Sequence, residues 1–163
     1  MTQSPDRPKG QLVNVLFVCF GNACRSQMAE ALTNYLGGDS VHALSAGSHP
    51  LGWIPSETRD VLNEKGISLE GHQSKGLKDV PLGEMDVVVE MEAGLVGTFP
   101  KKFNGRLIEW DIPDPFNGDV EVFRTVRDLI EERVNALLAE LCQPRGNPRR
   151  ELPAQAGSGG HGP

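Results

Sequence analysis

Apolar residues crowd the stretch LVNVLFVCF over 12–20, where only Asn14 interrupts the run. A β-branched, apolar run without clean alternation is the pattern of a strand buried on both faces of a parallel sheet. After a polar loop, Met28, Ala31, Leu32, Tyr35 and Leu36 recur at helical spacing until Gly37 and Gly38 stop them. The alternation then repeats. SVHALSAG at 40–47 reads as a second strand, and PSETRDVLNEKG at 55–66 as a second helix, with Pro55 near its start and Gly66 as its stop. MDVVVEM at 85–91 predicts a third strand, Ala93 to Phe99 a short segment, and GRLIEW at 105–110 a fourth strand. A long last helix is expected from Val120 to Leu141, with Val122, Val126, Leu129, Ile130, Val134, Leu137, Leu138 and Leu141 along one apolar stripe.

Strand and helix alternating in this way predict an α/β fold: a single domain with a parallel sheet of about four strands and helices on both faces. A chain of 163 residues, 38% of them hydrophobic, is long enough for one core and short for two. Residues 1–10 and 143–163 are rich in Pro, Gly, Gln, Ser and Arg without apolar periodicity, so they read as flexible tails around a domain at 11–142. The formal net charge of −6 and the scattered arginines argue against a nucleic-acid partner. The longest apolar run is about half the roughly 20 residues needed to span a bilayer. MTQSPDRPKG lacks an apolar core followed by a small-residue cleavage site, so no membrane partner and a cytoplasmic address are expected.

The chemistry concentrates in VCFGNACRSQMAE at 18–30, which places Cys19, Cys24 and Arg25 between the first strand and the first helix. A redox pair, a metal site and an oxyanion cradle are the three readings. Three cysteines are too few for a disulfide framework, and no partner pair of Cys or His stands at zinc spacing, so neither metal nor cofactor is expected. Gly21 and Asn22 tolerate unusual backbone angles, and the loop runs straight into a helix N-terminus. Such a loop (Phe20, Gly21, Asn22, Ala23, Cys24, Arg25 and Ser26) aims backbone N–H groups and the positive end of the helix dipole at a tetrahedral anion. Arg25 adds a planar fork of donors, and Cys19 would lie beneath the anion's central atom as a thiolate nucleophile favoured by the electropositive loop. A thiolate attacking a phosphate ester needs a proton donor for the departing oxygen. EWDIPDPFNG supplies Asp111 and Asp114 on the same sheet edge, with Asp114 held between Pro113 and Pro115. The competing reading of Asp114 is a turn former or a cap for the last helix.

VCFGNACRSQMAE with the downstream DPF resembles the low-molecular-weight protein tyrosine phosphatase superfamily, which includes the thioredoxin-coupled arsenate reductases. The likeness covers about 12–141, including SAGS, GISLEGHQSKGL and PDPF. It implies Cys19 as nucleophile, Arg25 as the residue that binds the anion and the transition state, and Asp114 as general acid. It also implies that Asn22, Ser26 and Ser45 shape the loop or hydrogen-bond to it, with His72 behind them. Gln27 stands where the phosphatases usually have proline, a reductase-like feature shared with SAGSHPLG and HQSKGL. By register with the reductases, however, the two further redox positions fall at about Glu92 and Phe99, and neither side chain can form a disulfide. EMEAGL and PDPF resemble the phosphatases.

The expected function is therefore hydrolysis of aryl phosphate or phosphotyrosine-type monoesters through a cysteinyl-phosphate. The partner is then a phosphate monoester, a phosphoprotein included, or arsenate. The alternatives are an arsenate reductase that borrows an external thiol, glutathione or mycothiol with a redoxin, and a non-catalytic oxyanion-binding module. Cys24 is the candidate redox partner of Cys19, against a reading as a small buried anchor for the first helix. Cys142 reads as a core or incidental cysteine. Phe116 and, across from it, Trp53 are candidate pocket walls, although a Trp in such a loop is as often a packing residue. Asn117 replaces a tyrosine often found beside Phe116 in the family. His42, His49 and His161 read as ordinary surface or core imidazoles.

Overall fold

The computed structural model describes residues 12–92, 94 and 103–142. The tails at 1–10 and 143–163, Phe99 and most of the short segment at 93–99 lie outside these residues. The elements run β1 (Val13–Cys19), α1 (Arg25–Gly37), β2 (Val41–Gly47), α2 (Ser56–Asn63), β3 (Val87–Glu90), β4 (Arg106–Glu109) and α3 (Val120–Leu141). Short 3-10 turns intervene at Gly38–Ser40, Leu77–Asp79 and Leu82–Glu84.

The four strands form one parallel sheet in the order β2-β1-β3-β4. Alternate residues of the sheet enter two cores, as a strand's period of two requires. Val15, Phe17, Val87 and Val89 pack with all three α-helices, while Leu16, Val18 and Val88 meet Val80, Met85, Leu77, Leu82 and Phe103 on the opposite face. Among the described residues that second face is covered by 3-10 turns rather than by α-helices. Burying a side chain such as Phe17 or Leu16 contributes about 1.5–3 kcal/mol, so the central strand β1 is the most strongly held part of the sheet. Because β2 and β3 flank β1 on opposite sides, the chain leaves the carboxyl ends of β1 and β3 in different directions, which opens a crevice there.

The helical stripes differ from expectation at their ends. In α1, Met28, Ala31 and Leu32 are buried but Tyr35 and Leu36 are exposed, because in the last turn it is Asn34, bonded to Ala43, and Gly37, against Val41, that face β2. Gly38, at φ +57°, then lets the chain turn back. In α3, Phe123 and not Val122 enters the core: Val120 and Phe123, three positions apart, pack inward, and Val122 between them is exposed. Arg127 fastens α3 to α2 through the Val61 carbonyl at 2.9 Å and Glu64 at 2.7 Å. No helix among the described residues is long and apolar enough to cross a membrane.

Candidate active site

Loop 19–24 joins β1 to α1, and every one of its carbonyls is held from outside the loop. Ser48 N–H donates to Cys19 O, His49 N–H to Phe20 O, Leu51 N–H and Ser74 Oγ to Gly21 O, Gln27 Nε2 to Asn22 O, Thr58 Oγ1 to Ala23 O and Met28 N–H to Cys24 O. With the carbonyls turned outward, the amides of Gly21 to Cys24 have no acceptor among the described residues. Asn22 makes the necessary reversal at φ +49°, in the left-handed region that Asn tolerates better than most residues. Helix α1 begins at Arg25 with no side-chain cap, so its own first N–H groups add to a concave, positively polarised surface. β2 must pass close beneath this loop. A Cβ on Gly47 would lie 2.7 Å from Phe20 O and 2.9 Å from Asn22 N, so only glycine fits.

Asn22 also sets the hydrogen bonds under the loop. Its Oδ1 accepts from the Lys75 backbone N–H at 2.8 Å, which fixes the amide's orientation and turns Nδ2 toward Ser26 Oγ at 2.8 Å and Ser45 Oγ at 2.9 Å. Ser45 passes its own hydrogen to Glu30 Oε1 at 2.6 Å. Ser26 Oγ lies 3.0 Å from Cys19 Sγ, and for a thiolate, which only accepts, the Ser26 hydroxyl is the donor.

Above the loop a cleft of about 230 Å³ is lined by Cys19, Phe20, Gly21, Ala23, Cys24, Arg25, Leu51, Asp114 and Phe116. The Arg25 side chain is buried. Its NH1 donates to Met91 O at 2.8 Å and Ile112 O at 3.2 Å, and NH2 pairs with Glu92 at 2.7 Å and approaches Asp114 Oδ2 to 3.5 Å. Its buried Nε–H has no partner among the described residues, which leaves one donor of the fork for an anion. The other oxygen of Asp114 accepts from Phe116 N–H at 3.1 Å, a local turn that orients the carboxylate. The helix cap is Asp119 instead, whose Oδ1 accepts from Val122 N–H. Asp111 is exposed and lines an adjoining cavity with Glu90, Glu92 and Glu109, away from Cys19.

Residues 14–146 match the family model for low molecular weight phosphotyrosine protein phosphatase. The chain belongs to this family. It is similar to a glutaredoxin arsenate reductase of Synechocystis sp., 34% identical over 128 residues that cover 78% of this chain and 97% of the relative. A protein-arginine-phosphatase of Geobacillus stearothermophilus is 35% identical over 141 residues, covering 78% and 95%. A solved arsenate reductase in the phosphate binding state superposes with a TM-score of 0.73 at 32% identity, over 80% of this chain and 99% of that one. The low molecular weight phosphatase family thus carries both names among this chain's relatives.

Of the remaining expected residues, Cys24 and Phe116 line the cleft, whereas Trp53 and Cys142 do not lie where they are expected. Trp53 does not face Phe116 across it. The two rings touch, with centroids 6.2 Å apart, closer than the roughly 7 Å that a ring stacked between them would require. Phe116 lines the cleft together with Leu51 and Phe20, on which His49 stacks at 4.7 Å. Cys142 is exposed at the end of α3 and is not a core residue. Asn117 occupies a left-handed turn at φ +73°, a conformation a tyrosine would adopt only with strain. Cys24 is buried in the cleft floor, and burial pushes its thiol up to about 12, with Asp114 and Cys19 adding to the shift and the Thr58 hydrogen bond and Arg25 opposing it. Cys24 therefore stays a neutral thiol. His72 Nδ1 lies 3.0 Å from Gln27 Oε1, one layer behind Asn22. Sequence reasoning missed Glu92 as the partner of Arg25, Glu30 beneath Ser45, and Thr58 and Ser74 as carbonyl clamps. Their partners lie 15 to 67 positions away, so no local pattern could reveal them.

Proposed function

We propose that this chain is a phosphomonoesterase acting on aryl phosphates, including phosphotyrosine-type esters. The Cys19 thiolate attacks phosphorus, and the bond to the ester oxygen breaks as Asp114 gives that oxygen its proton. The amides of Gly21 to Cys24 and Arg25 Nε–H hold the equatorial oxygens, where charge is distributed in the transition state. Asp114, now a carboxylate, takes a proton from water as the water attacks the cysteinyl-phosphate, releasing phosphate and restoring the thiolate. A reducing cytoplasm would keep Cys19 competent.

The observation that carries this reading is Glu92. At the register where a reductase needs a second redox cysteine, this chain has a carboxylate paired with Arg25 at 2.7 Å. A carboxylate holds the guanidinium but can neither supply the electrons nor form the disulfide that a thiol cascade requires. The likeness to a glutaredoxin arsenate reductase supports a second reading, in which arsenate forms the adduct on Cys19 and an external thiol reduces it. A paired assay separates them: p-nitrophenol release from p-nitrophenyl phosphate, and arsenite formation from arsenate with glutathione or mycothiol and a redoxin, with Cys19→Ser as blank in both. Ester hydrolysis without arsenite is the expected result. Robust arsenite formation with negligible hydrolysis overturns it, and a phosphoarginine peptide in the same panel tests whether the cradle prefers a P–N bond.

A further inference from the structure

Gln27 is the third residue of α1, and its side chain is fully buried behind the anion loop. Its Nε2 faces three oxygens: Asn22 O at 3.2 Å, Asn22 Oδ1 at 3.0 Å and Gln73 O at 3.0 Å. Its Oε1 faces His72 Nδ1 at 3.0 Å. Reversing the amide would set an oxygen against three oxygens, so only one orientation is tenable, and His72 must carry its hydrogen on Nδ1.

We propose that Gln27 is a positioning residue for Cys19: it holds the left-handed turn at Asn22 and thereby aims the hydrogen bonds that end on the Cys19 sulfur. The inference rests on Cys19 being the reactive thiol of the proposed phosphatase. At φ +49° Asn22 is in a conformation that most side chains disfavour, so the turn must be held from outside. Gln27 grips that residue twice, by its backbone carbonyl and by its side-chain oxygen. The first grip keeps the carbonyl pointing away from the cleft, so that the loop amides face the anion. The second, with the Lys75 N–H, fills both acceptor sites of Oδ1 and leaves Nδ2 facing Ser26, the residue that meets Cys19 Sγ. A continuous series of donors thus runs from His72 through Gln27, Asn22 and Ser26 to the nucleophile. Without it, Asn22 would retain only the Lys75 bond on its acceptor side and none on its carbonyl.

The test uses the full chain and reads Cys19 alkylation by iodoacetamide as a function of pH, with tandem mass spectrometry to separate Cys19 from Cys24. Inorganic phosphate serves as protectant, so that loop geometry is read as an apparent dissociation constant. Gln27→Met keeps the volume and removes the amide, and is expected to slow alkylation about tenfold near pH 6 while leaving the rate near pH 10 unchanged. Phosphate protection is expected to weaken about tenfold as well. His72→Asn, at a more accessible position, should give a smaller loss of the same pattern and decides the matter if Gln27→Met does not fold. A folded Gln27→Met protein with the wild-type profile and protection overturns the proposal. So does an equal loss of rate at both pH values, which would mean altered access alone. Neither readout involves ester cleavage, so a chain that hydrolyses no phosphate ester would refute the proposed function and leave this result standing.

Discussion

Gly47→Ala perturbs the anion loop from beneath, by pressing on its main chain and leaving every residue of the loop itself unchanged. The added Cβ would lie 2.7 Å from Phe20 O, 2.9 Å from Asn22 N and 3.0 Å from Asn22 Cβ. Ordinary contacts begin near 3.5 Å, so roughly half an ångström or more must open between β2 and the loop. All three atoms belong to the loop, and two are main chain, so no side chain can rotate away. The neighbouring residues Ser48 and His49 hold the carbonyls of Cys19 and Phe20 at 3.1 and 2.8 Å, and these bonds must stretch with the shift. Overpacking of this kind costs about 1–3 kcal/mol. A loop displaced toward the cleft moves the donors off the equatorial oxygens, for which about 10²-fold in kcat is the expected scale. Thermal unfolding followed by circular dichroism gives the first quantity, and p-nitrophenyl phosphate turnover with phosphate inhibition gives the second. Gly83→Ala is the control, because a Cβ there meets nothing within 4 Å, and its stability should stay within about 0.5 kcal/mol of the parent. A Gly47→Ala protein with parental kcat and phosphate inhibition would refute the argument that the β2–loop contact shapes the cradle.

Asp114→Asn should slow aryl phosphate hydrolysis by roughly 10²- to 10⁴-fold while leaving phosphate binding in place, and a rate indifferent to the change would refute Asp114 as the general acid. Peroxide should convert Cys19 to a sulfenic acid with which the Cys24 thiol condenses, releasing water and forming a disulfide that dithiothreitol reverses. Cys24→Ala should then lose the dithiothreitol-recoverable fraction of activity, and full recovery would contradict that pairing. Hydrogen bonds from Arg124 and Arg127 hold the Glu64 carboxyl down to about 2, against an ordinary 4.5. A folded value below the unfolded one means that stabilisation is complete above about pH 4.5 and disappears as pH falls toward 2. Glu64→Gln should accordingly melt below the parent at neutral pH and coincide with it near pH 2, so a constant offset across that window would be the contrary result.

Much of this arrangement is legible in the sequence because strand β1 and the cluster after it are local signals. An apolar run, a loop containing Gly21 and Asn22, and a helix starting at Arg25 place the cradle without any distant contact. The first helix is harder to read. Residues Arg25 to Thr33 are buried around the whole circumference, polar ones included, so its amphipathic stripe is weak and Tyr35 and Leu36 mimic core positions. Burial of Ser26, Gln27 and Glu30 follows from their hydrogen bonds to Cys19, Asn22, His72 and Ser45, and a periodicity argument cannot supply those partners. Trp53 illustrates the same boundary. Its presence near the mouth was expected, but whether it faces Phe116 or lies against it depends on how the loops after β2 and β4 meet.

The central claim is phosphoryl transfer to Cys19, and the most direct measurement is rapid acid quenching of Asp114→Asn during p-nitrophenyl phosphate turnover, followed by mass spectrometry of the peptide containing Cys19 and Cys24. The phenolate of this substrate leaves without much help from an acid, whereas breakdown of the adduct lacks its base, so the intermediate should accumulate. The account predicts one phosphoryl group on Cys19 and none on Cys24. Continued hydrolysis with Cys19 unmodified at every quench time, or phosphorylation of any other residue, would contradict it.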